Sequence, residues 1–209
     1  MSAYLKLYFV VGPKDCGDRP WLEVVRQALE GGVTCLQLRD KHMSDADFLA
    51  AAIAMKAVAL PFDVPVLLND RCHLVQPAGA DGAHVGQDDA DIVKARQDIG
   101  PRGILGLSVG SDEEMKTHDP ALVDYLGIGP AFLTTTKSDA GEPLGPDGVA
   151  ALVAQTKTPC VAIAGINQTN AAELAATGVQ GVAVVSAISK APDAKAATQD
   201  LDKAFNLQN

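Results

Sequence analysis

Length, composition and charge restrict this chain to one broad class of protein. Its 209 residues suit one domain or two small ones, and 47% hydrophobic with 21% charged residues is an ordinary globular composition, not a disordered one. The formal net charge of −9 disfavours nucleic acid and anionic membranes as partners, so a site for phosphates would need local positive charge or a metal ion.

The N-terminal segment and the cysteines together predict a cytoplasmic protein. The apolar run in MSAYLKLYFVVGPKD is short, follows no basic region and ends at Gly12 and Pro13, so we expect no signal peptide. No stretch approaches the roughly 20 apolar residues of a membrane-spanning helix. The four cysteines show no CxxC spacing, and we expect them to be reduced.

Short apolar runs alternate with helical stretches along the chain. Strands are predicted near Leu5–Val11, Cys35–Arg39, Val66–Leu68, Gly82–Val85, Ile104–Leu107, Tyr125–Ile128, Cys160–Ile163 and Gly181–Val184. Helices are predicted near Trp21–Glu30, Asp45–Leu60, Asp91–Ile99, Asp112–Asp119, Pro146–Gln155, Asn170–Ala176 and Ala191–Phe205. Runs such as VAIA and VAVV are apolar at successive positions, which is typical of parallel strands buried on both faces.

Eight strands alternating with helical stretches predict one domain over residues 1–209, an α/β fold of the (β/α)8 TIM-barrel type. The alternative is an open doubly wound sheet. No GxGxxG follows the first strand, which counts against the dinucleotide-binding form of that sheet. The longest irregular stretch, Leu133–Pro146, is rich in Thr, Gly and Pro, and loops of this length often bind ligands.

Polar residues follow the predicted strands, at the end of a barrel where catalytic groups usually stand. In chain order they are Gln37, Arg39, Lys41, Asn69, Asp70, Asp89, Ser108, Thr134, Thr136, Lys137, Gly165 and Ser186. Apolar or turn residues would suffice for folding at these positions. Their clustering therefore predicts a binding site at that end.

Two carboxylates and three cations within this set suit a metal–pyrophosphate site. Asp70 and Asp89 end adjacent strands, and Mg²⁺ commonly takes one or two carboxylates together with phosphate oxygens. Arg39, Lys41 and Lys137 come from different loops and could clamp a pyrophosphate beside the metal. An alternative stays open at this point, because Asp89 could also be a first-turn acid of the next helix.

The loops after the last two strands predict a second anion site. Gly165 and Ser186 lie where barrels frequently bind a phosphate through backbone N–H groups. His84 stands within a strand, and we assign it no catalytic role because such histidines usually serve the core. Cys72 and His73 lack a second Cys/His pair, which argues against a zinc site.

Six motifs occur in order along nearly the whole chain. They are GVTCLQLRDK (residues 32–41), LLNDR (67–71), GADGAHVGQDD (79–89), YLGIGPAFLTTTK (125–137), AIAGI (162–166) and GVAVVSAI (181–188). In this combination the sequence resembles the thiamine phosphate synthase family. That family joins 4-amino-2-methyl-5-hydroxymethylpyrimidine pyrophosphate to 4-methyl-5-(2-phosphooxyethyl)thiazole, or to its carboxylated form, and releases pyrophosphate.

The resemblance implies a role for each matched residue. Contacts to the pyrimidine pyrophosphate would come from Gln37, Arg39, Lys41, Asn69, Ser108 and Lys137, with Arg39, Lys41 and Lys137 acting in catalysis. Contacts to the thiazole phosphate would come from Thr134, Thr136, Gly165, Val185 and Ser186. Asp70 and Asp89 would hold Mg²⁺ as the cofactor. The expected partners are small-molecule substrates, and barrels of this size often self-associate, so a homo-oligomer is also an expectation.

The residue types suit this chemistry. Negative charge grows on the departing pyrophosphate, where a metal and cationic side chains would be directed. The thiazole nitrogen is a neutral nucleophile, which fits a set of residues without an evident catalytic His or Cys. One departure from the family pattern is Ala164, which replaces the first of two glycines after strand 7.

Three other functions are compatible with a barrel of this type. A related thiazole tautomerase needs a proton-transfer group and no pyrophosphate clamp, and a His tends to stand where this chain has Pro130. A non-catalytic phosphate-binding barrel would be expected to lose the metal carboxylates. A sugar-phosphate epimerase or isomerase needs an acid/base pair across its substrate, and the fold alone does not exclude it.

Overall fold

The chain forms a closed barrel of parallel strands. The computed structural model describes residues 3–89, 91–134 and 141–206. Within them, eight strands pair in chain order and the last closes against the first, through partners such as Leu7 and Val182. The strands are β1 (Leu7–Val11), β2 (Cys35–Leu38), β3 (Val66–Asn69), β4 (Gly82–Val85), β5 (Ile104–Val109), β6 (Tyr125–Ile128), β7 (Cys160–Ile163) and β8 (Gly181–Val184). The barrel prediction is confirmed, and the open-sheet alternative is wrong.

Helices surround the barrel. The α-helices are α1 (Trp21–Gly31), α2 (Asp45–Ala59), α3 (Val75–Ala78), α4 (Ile92–Ile99), α5 (Asp112–Thr117), α6 (Gly145–Val153), α7 (Ser186–Ser189) and α8 (Ala194–Asn206). Short 3₁₀ helices lie at Ala3–Leu5, Pro13–Cys16, Leu60–Phe62, Cys72–Leu74 and Ala171–Thr177. In the part of the chain that is described, no helix combines the length and apolar character that crossing a membrane requires.

The sequence pattern located most elements but missed short ones. Helix α2 begins as expected, because the Ser44 hydroxyl accepts a hydrogen bond from the Asp47 backbone N–H at 3.1 Å. The helix predicted near Asn170–Ala176 is instead the 3₁₀ helix that ends at Thr177. The helical turns between β3 and β4 were not predicted, because segments of three or four residues carry too little periodicity to recognise.

Side chains of each strand alternate between the barrel interior and the helical layer. In β1, Leu7 and Phe9 pack outward with the helices, whereas Tyr8 points inward. The inner cluster is completed by Leu5, Cys35, Leu67, Tyr125, Val161 and Ala183. These apolar and aromatic residues fill the barrel interior near the amino ends of the strands. Polar side chains occupy the interior near the carboxyl ends.

A repeated hydrogen bond closes the amino end of the barrel. The residue before each even-numbered strand accepts a hydrogen bond from the backbone N–H at the start of the preceding odd-numbered strand. The pairs are Thr34 with Leu7 at 2.9 Å, Asp81 with Val66 at 2.7 Å, Asp124 with Leu105 at 2.8 Å, and Gln180 with Cys160 at 2.5 Å. Because these N–H groups, on the first or second residue of a strand, would otherwise be buried without a partner, the four side chains stabilise the amino end of the barrel.

We expect Asp81→Ala to destabilise the protein. The N–H of the fully buried Val66 would lose its acceptor, and Lys56 would lose its ion pair. A buried donor left unsatisfied costs about 1–3 kcal/mol. Chemical denaturation should show this loss, whereas Asp200→Ala, which removes only an exposed ion pair with Lys203, should change stability by less than about 0.5 kcal/mol. Equal stability of the two variants would contradict the role of Asp81.

Candidate functional site

A cavity of about 500 Å³ lies at the carboxyl ends of the strands. Eleven of the sequence-predicted residues line it: Gln37, Arg39, Lys41, Asn69, Asp70, Asp89, Ser108, Thr134, Gly165, Val185 and Ser186. The other two, Thr136 and Lys137, lie outside the described residues. Residues from seven different strand ends thus meet in one place, as the barrel prediction required.

The floor of the cavity follows from strand alternation. Gln37, Asn69 and Ser108 each occupy an inward position near the end of β2, β3 or β5. Gln37 is only 4% exposed, so its amide belongs to the barrel interior as much as to the cavity. Ser108 lies within β5 and not beyond it, because that strand continues to Val109.

Asp70 and Asp89 form a carboxylate pair at one side of the cavity. The Asp70 backbone has a positive φ of 62°, and its N–H donates to the His84 carbonyl oxygen at 3.0 Å. Its Oδ1 atom is buried and has no hydrogen-bond partner among the described residues. Burial raises the pKa of the Asp70 carboxyl to about 6, and the neighbouring Asp89 carboxylate is the second cause.

Two cationic side chains partly offset this negative charge. Lys41 Nζ lies 3.8 Å from Asp89 Oδ1, and both Lys41 and Arg39 lower the pKa of Asp70. Asp89 is not a first-turn helix acid, because α4 begins at Ile92 and its N-cap is Asp91. Asp89 Oδ2 instead accepts a hydrogen bond from the Gly86 N–H at 3.2 Å.

The donor set suits a hard divalent cation that shares its coordination with a ligand. Two carboxylates lie together, one Asp70 oxygen is buried without a hydrogen-bond partner among the described residues, and burial raises the pKa of the Asp70 carboxyl to about 6. Among the described residues no group of three or more His, Cys, Asp or Glu gathers, so a protein-only cage such as a zinc site is not seen there. Mg²⁺ fits this arrangement, because it usually binds one or two carboxylates and completes its shell with phosphate oxygens or water.

The loop that carries Lys41 is held from β3. Arg71, directly after the carboxylate Asp70, donates to the Met43 carbonyl oxygen at 2.6 Å and pairs with Asp45 at 2.9 Å. Within the loop, Asp40 Oδ1 accepts from the Met43 N–H at 3.0 Å. Arg71 therefore fixes the loop that carries Lys41 relative to the adjacent Asp70.

The opposite side of the cavity is built by backbone. Gly165 has a φ of 72°, and a Cβ atom there would lie 2.5 Å from the Phe132 carbonyl oxygen, so no other residue fits. Asn170 donates to the Gly165 carbonyl oxygen at 3.0 Å and holds this turn in place. Ala164, the departure from the family pattern, also has a left-handed φ of 69°, a conformation that costs a non-glycine residue about 1–2 kcal/mol.

Four lining residues with polar side chains were not predicted as part of the site: Tyr8, His84, Asn167 and Lys190. Tyr8 and His84 could have been found from alternation, because each occupies an inward strand position. Lys190 lies one helical turn after Ser186, and its backbone N–H donates to the Ser186 carbonyl oxygen at 3.1 Å. It adds an exposed positive charge at the end of the cavity opposite the carboxylate pair.

Residues 7–188 match the family model described as Thiamine monophosphate synthase. The chain belongs to the thiamine monophosphate synthase family. The thiamine-phosphate synthase of Vibrio campbellii is 43% identical over 202 residues, covering 96% of this chain and 98% of that protein. The one from a Psychrobacter species is 41% identical over 198 residues, covering 93% and 92%. The solved structure of thiamine phosphate pyrophosphorylase from Pyrococcus furiosus matches with a TM-score of 0.88 at 36% identity, covering 98% and 97% of the two chains.

Membership of the thiamine monophosphate synthase family makes this chain an enzyme, a transferase of thiamine biosynthesis. The resemblance carried by six short motifs is thereby confirmed over most of the chain. The likeness also holds in three dimensions, since the matching structure covers nearly all of both chains. The cavity at the strand ends is the candidate active site of this family member.

We expect Asp70→Asn to stabilise the protein in the absence of divalent cations. The pKa of Asp70 is raised from 3.8 to about 6, so its ionisation in the folded state costs stability as the pH rises through this range. Asn removes that charge and tolerates a positive φ. Because the carboxyl is partly exposed, the gain should be about 1 kcal/mol, or about 2–4 °C in Tm.

The pH dependence checks the cause of this gain. Thermal melts with EDTA should show the difference between Asp70→Asn and the parent at pH 7.5 and a much smaller one at pH 4, where Asp70 is protonated in the folded state and only about half ionised in the unfolded state. A variant less stable than its parent at pH 7.5 would contradict the charge argument.

Proposed function

We propose that this enzyme joins 4-amino-2-methyl-5-hydroxymethylpyrimidine pyrophosphate to 4-methyl-5-(2-phosphooxyethyl)thiazole, or its carboxylated form, and releases thiamine phosphate and pyrophosphate. The carboxylated form would also release its carboxyl group as carbon dioxide. The observation that carries the proposal is that the two sides of the cavity carry different chemical groups. A carboxylate pair with adjacent cations lies at one side, and a backbone cradle with a lysine lies at the other. Between them is a hydrogen-bonding floor. This arrangement suits two phosphorylated substrates whose reacting atoms meet in the middle.

At the carboxylate side we assign the pyrophosphate. Asp70 and Asp89 would hold Mg²⁺, which supplies positive charge where the leaving group accumulates negative charge. Arg39 offers paired N–H donors and Lys41 a point charge to the same phosphate oxygens. Lys137, assigned from sequence, would add a third cation. The proximity of Lys41 to Asp89 at 3.8 Å supports this grouping.

At the opposite side we assign the thiazole phosphate, held by Thr134, Thr136, Gly165, Val185 and Ser186. The carbon–oxygen bond of the pyrimidine substrate breaks, and its electron pair leaves on pyrophosphate. The thiazole nitrogen then forms the carbon–nitrogen bond with its own lone pair, so no side chain has to remove a proton. The site residues accordingly bind, orient and stabilise charge.

The alternatives are less well supported. A thiazole tautomerase has no use for a carboxylate pair with adjacent cations, and relatives about 40% identical are named thiamine-phosphate synthases. A non-catalytic phosphate barrel would not retain a buried carboxylate oxygen without a partner, because that arrangement destabilises the protein. An epimerase or isomerase would need an acid/base pair across the substrate. Asp70 and Asp89 instead lie together on one side.

The direct test is a coupled product measurement. The purified protein should form thiamine phosphate and pyrophosphate in equal amounts from the two substrates with Mg²⁺. EDTA should abolish both products, and added Mg²⁺ should restore them. Absence of product from a folded sample would reject the synthase assignment, whereas metal-independent formation would reject only the role of Mg²⁺.

We expect Asp89→Ala to lower turnover by about 100-fold or more, because the metal and Lys41 would both lose a partner. The exposed neighbour Asp88 does not line the cavity, which makes Asp88→Ala a matched control that should retain the parent rate. Mg²⁺ titrations of initial rate would measure both effects. A normal Mg²⁺ requirement and rate in Asp89→Ala would remove this residue from the metal site.

We expect Lys190→Gln to weaken binding of the thiazole phosphate and leave that of the pyrimidine pyrophosphate nearly unchanged. The KM for thiazole phosphate should rise about 3- to 10-fold, with a smaller change at high ionic strength because the lysine is exposed. Lys195→Gln is the control, since Lys195 lies on α8 beside Glu30 and outside the cavity. Equal KM values in the two variants would show that Lys190 does not contact the phosphate.

A further inference from the structure

Five polar side chains form one continuous chain of hydrogen bonds across the floor of the cavity. Gln37 Nε2 donates to the Tyr8 hydroxyl at 2.6 Å, and the Tyr8 and Tyr125 hydroxyls are 3.0 Å apart. The Tyr125 hydroxyl lies 2.8 Å from His84 Nδ1, and His84 Nε2 lies 2.9 Å from Ser108 Oγ. The chain therefore connects Gln37 to Ser108 through three ring side chains from β1, β6 and β4.

The barrel is built to accommodate these rings. Tyr8 is 1% exposed and Tyr125 is fully buried, and their rings meet edge to face with centroids 6.1 Å apart. Room for them comes from inward-facing glycines on the neighbouring strands. A Cβ atom at Gly106 would lie 2.2 Å from the Tyr125 ring, and one at Gly127 would lie 3.0 Å from the His84 ring. Packing thus holds the three rings in a single arrangement.

Either tyrosine hydroxyl and either imidazole nitrogen could be the donor in these bonds, so we assign their direction from the Gln37 end, where the amide is the donor. Each hydroxyl owns one hydrogen, and a neutral imidazole owns one N–H. Because the Tyr8 oxygen accepts from Gln37, its own hydrogen is available to Tyr125. The Tyr125 hydrogen then goes to His84 Nδ1, which leaves His84 protonated on Nε2 and donating to Ser108 Oγ.

Both tyrosines keep the hydrogens that this direction requires. Burial raises the pKa of the Tyr8 hydroxyl and of the Tyr125 hydroxyl well above their usual value. The two ends of the chain are then fixed as well. Gln37 presents its carbonyl oxygen as an acceptor, and Ser108 has its hydroxyl hydrogen left to donate.

We propose that Tyr8, Tyr125 and His84 are positioning residues that make the cavity floor selective for an amino-substituted pyrimidine over its oxo-substituted counterpart. The amino group would donate to the Gln37 carbonyl oxygen, and Ser108 would donate to an acceptor atom of the same substrate. An oxo group at the same position would face the Gln37 oxygen as a second acceptor, which is repulsive. The identity of the substrate rests on the proposed synthase function. The donor and acceptor roles of Gln37 and Ser108 rest on the hydrogen-bond chain alone.

The direction can be measured on the enzyme without substrates. In ¹⁵N-labelled protein, His84 should give the imidazole nitrogen shifts of the neutral tautomer protonated on Nε2. The chain has four histidines, so loss of these signals in His84→Gln assigns them. A neutral tautomer protonated on Nδ1, or a doubly protonated ring at pH 7.5, would overturn the proposal. This result does not depend on whether the protein makes thiamine phosphate.

Selectivity is tested with Tyr8→Phe, which frees the Gln37 amide to rotate but keeps the ring. The KM for the aminopyrimidine pyrophosphate should rise about tenfold. The inhibition constant of the oxo analogue should stay constant or fall. The ratio of the two constants should therefore drop about tenfold, with kcat changed by less than about threefold. Tyr125→Phe, which interrupts the chain at its centre, should change the ratio in the same direction.

The matched control is Tyr4→Phe. Tyr4 packs edge-on against Tyr125 with centroids 6.4 Å apart, yet its hydroxyl does not belong to the chain of hydrogen bonds. This variant should retain the parent ratio. A loss of affinity for both pyrimidines alike in Tyr8→Phe, or an unchanged ratio, would show that the tyrosine is only structural and would overturn the proposal. No product from the parent enzyme would instead reject the synthase function.

Discussion

Strand alternation inside a closed barrel is the constraint on which the rest of this structure depends. Every second residue of eight short strands has to point into one narrow space. Near the amino ends that space is filled by apolar residues and by the rings of Tyr8 and Tyr125. Near the carboxyl ends it is lined by Gln37, Asn69 and Ser108. Core and candidate active site are therefore successive layers of the same interior. His84 connects them through hydrogen bonds to Tyr125 in the core and to Ser108 at the cavity.

The carboxylate pair lowers the stability of the folded protein, whereas the packed barrel interior raises it. Asp70 is partly buried next to Asp89, one of its oxygens has no partner among the described residues, and its backbone is left-handed. Such an arrangement is unfavourable for the folded protein unless a cation occupies it. With such a cation beside Arg39 and Lys41, a chain of net charge −9 could bind anions here, because local charges a few ångströms away outweigh a surface field screened within about 8–10 Å.

The site could be predicted from sequence to the extent that it follows strand ends. Each of the eleven described residues taken from those positions lines the cavity, because parallel strands present all their carboxyl ends at one mouth. Lys190 was missed because it belongs to the four-residue helix α7, which has no recognisable periodicity. His84 was assigned to the core, and its two hydrogen bonds agree with that, but its ring also borders the cavity. The polar side chain of His84 at an inward strand position was the sequence signal that could have placed it at the cavity.

By itself, the sequence determined the number and order of the strands, most of the helices between them and the residues at each strand end. These are local properties, since they depend on periodicity and composition within about ten residues. Only the tertiary structure decided which of these residues meet. Tyr8 and Tyr125, 117 positions apart, share a hydrogen bond because closure of the barrel brings β1 and β6 face to face across its interior. The pairing of Lys41 with Asp89 and the hydrogen-bond chain from Gln37 to Ser108 have the same origin, because contacts across a closed interior produce no periodic pattern in the sequence.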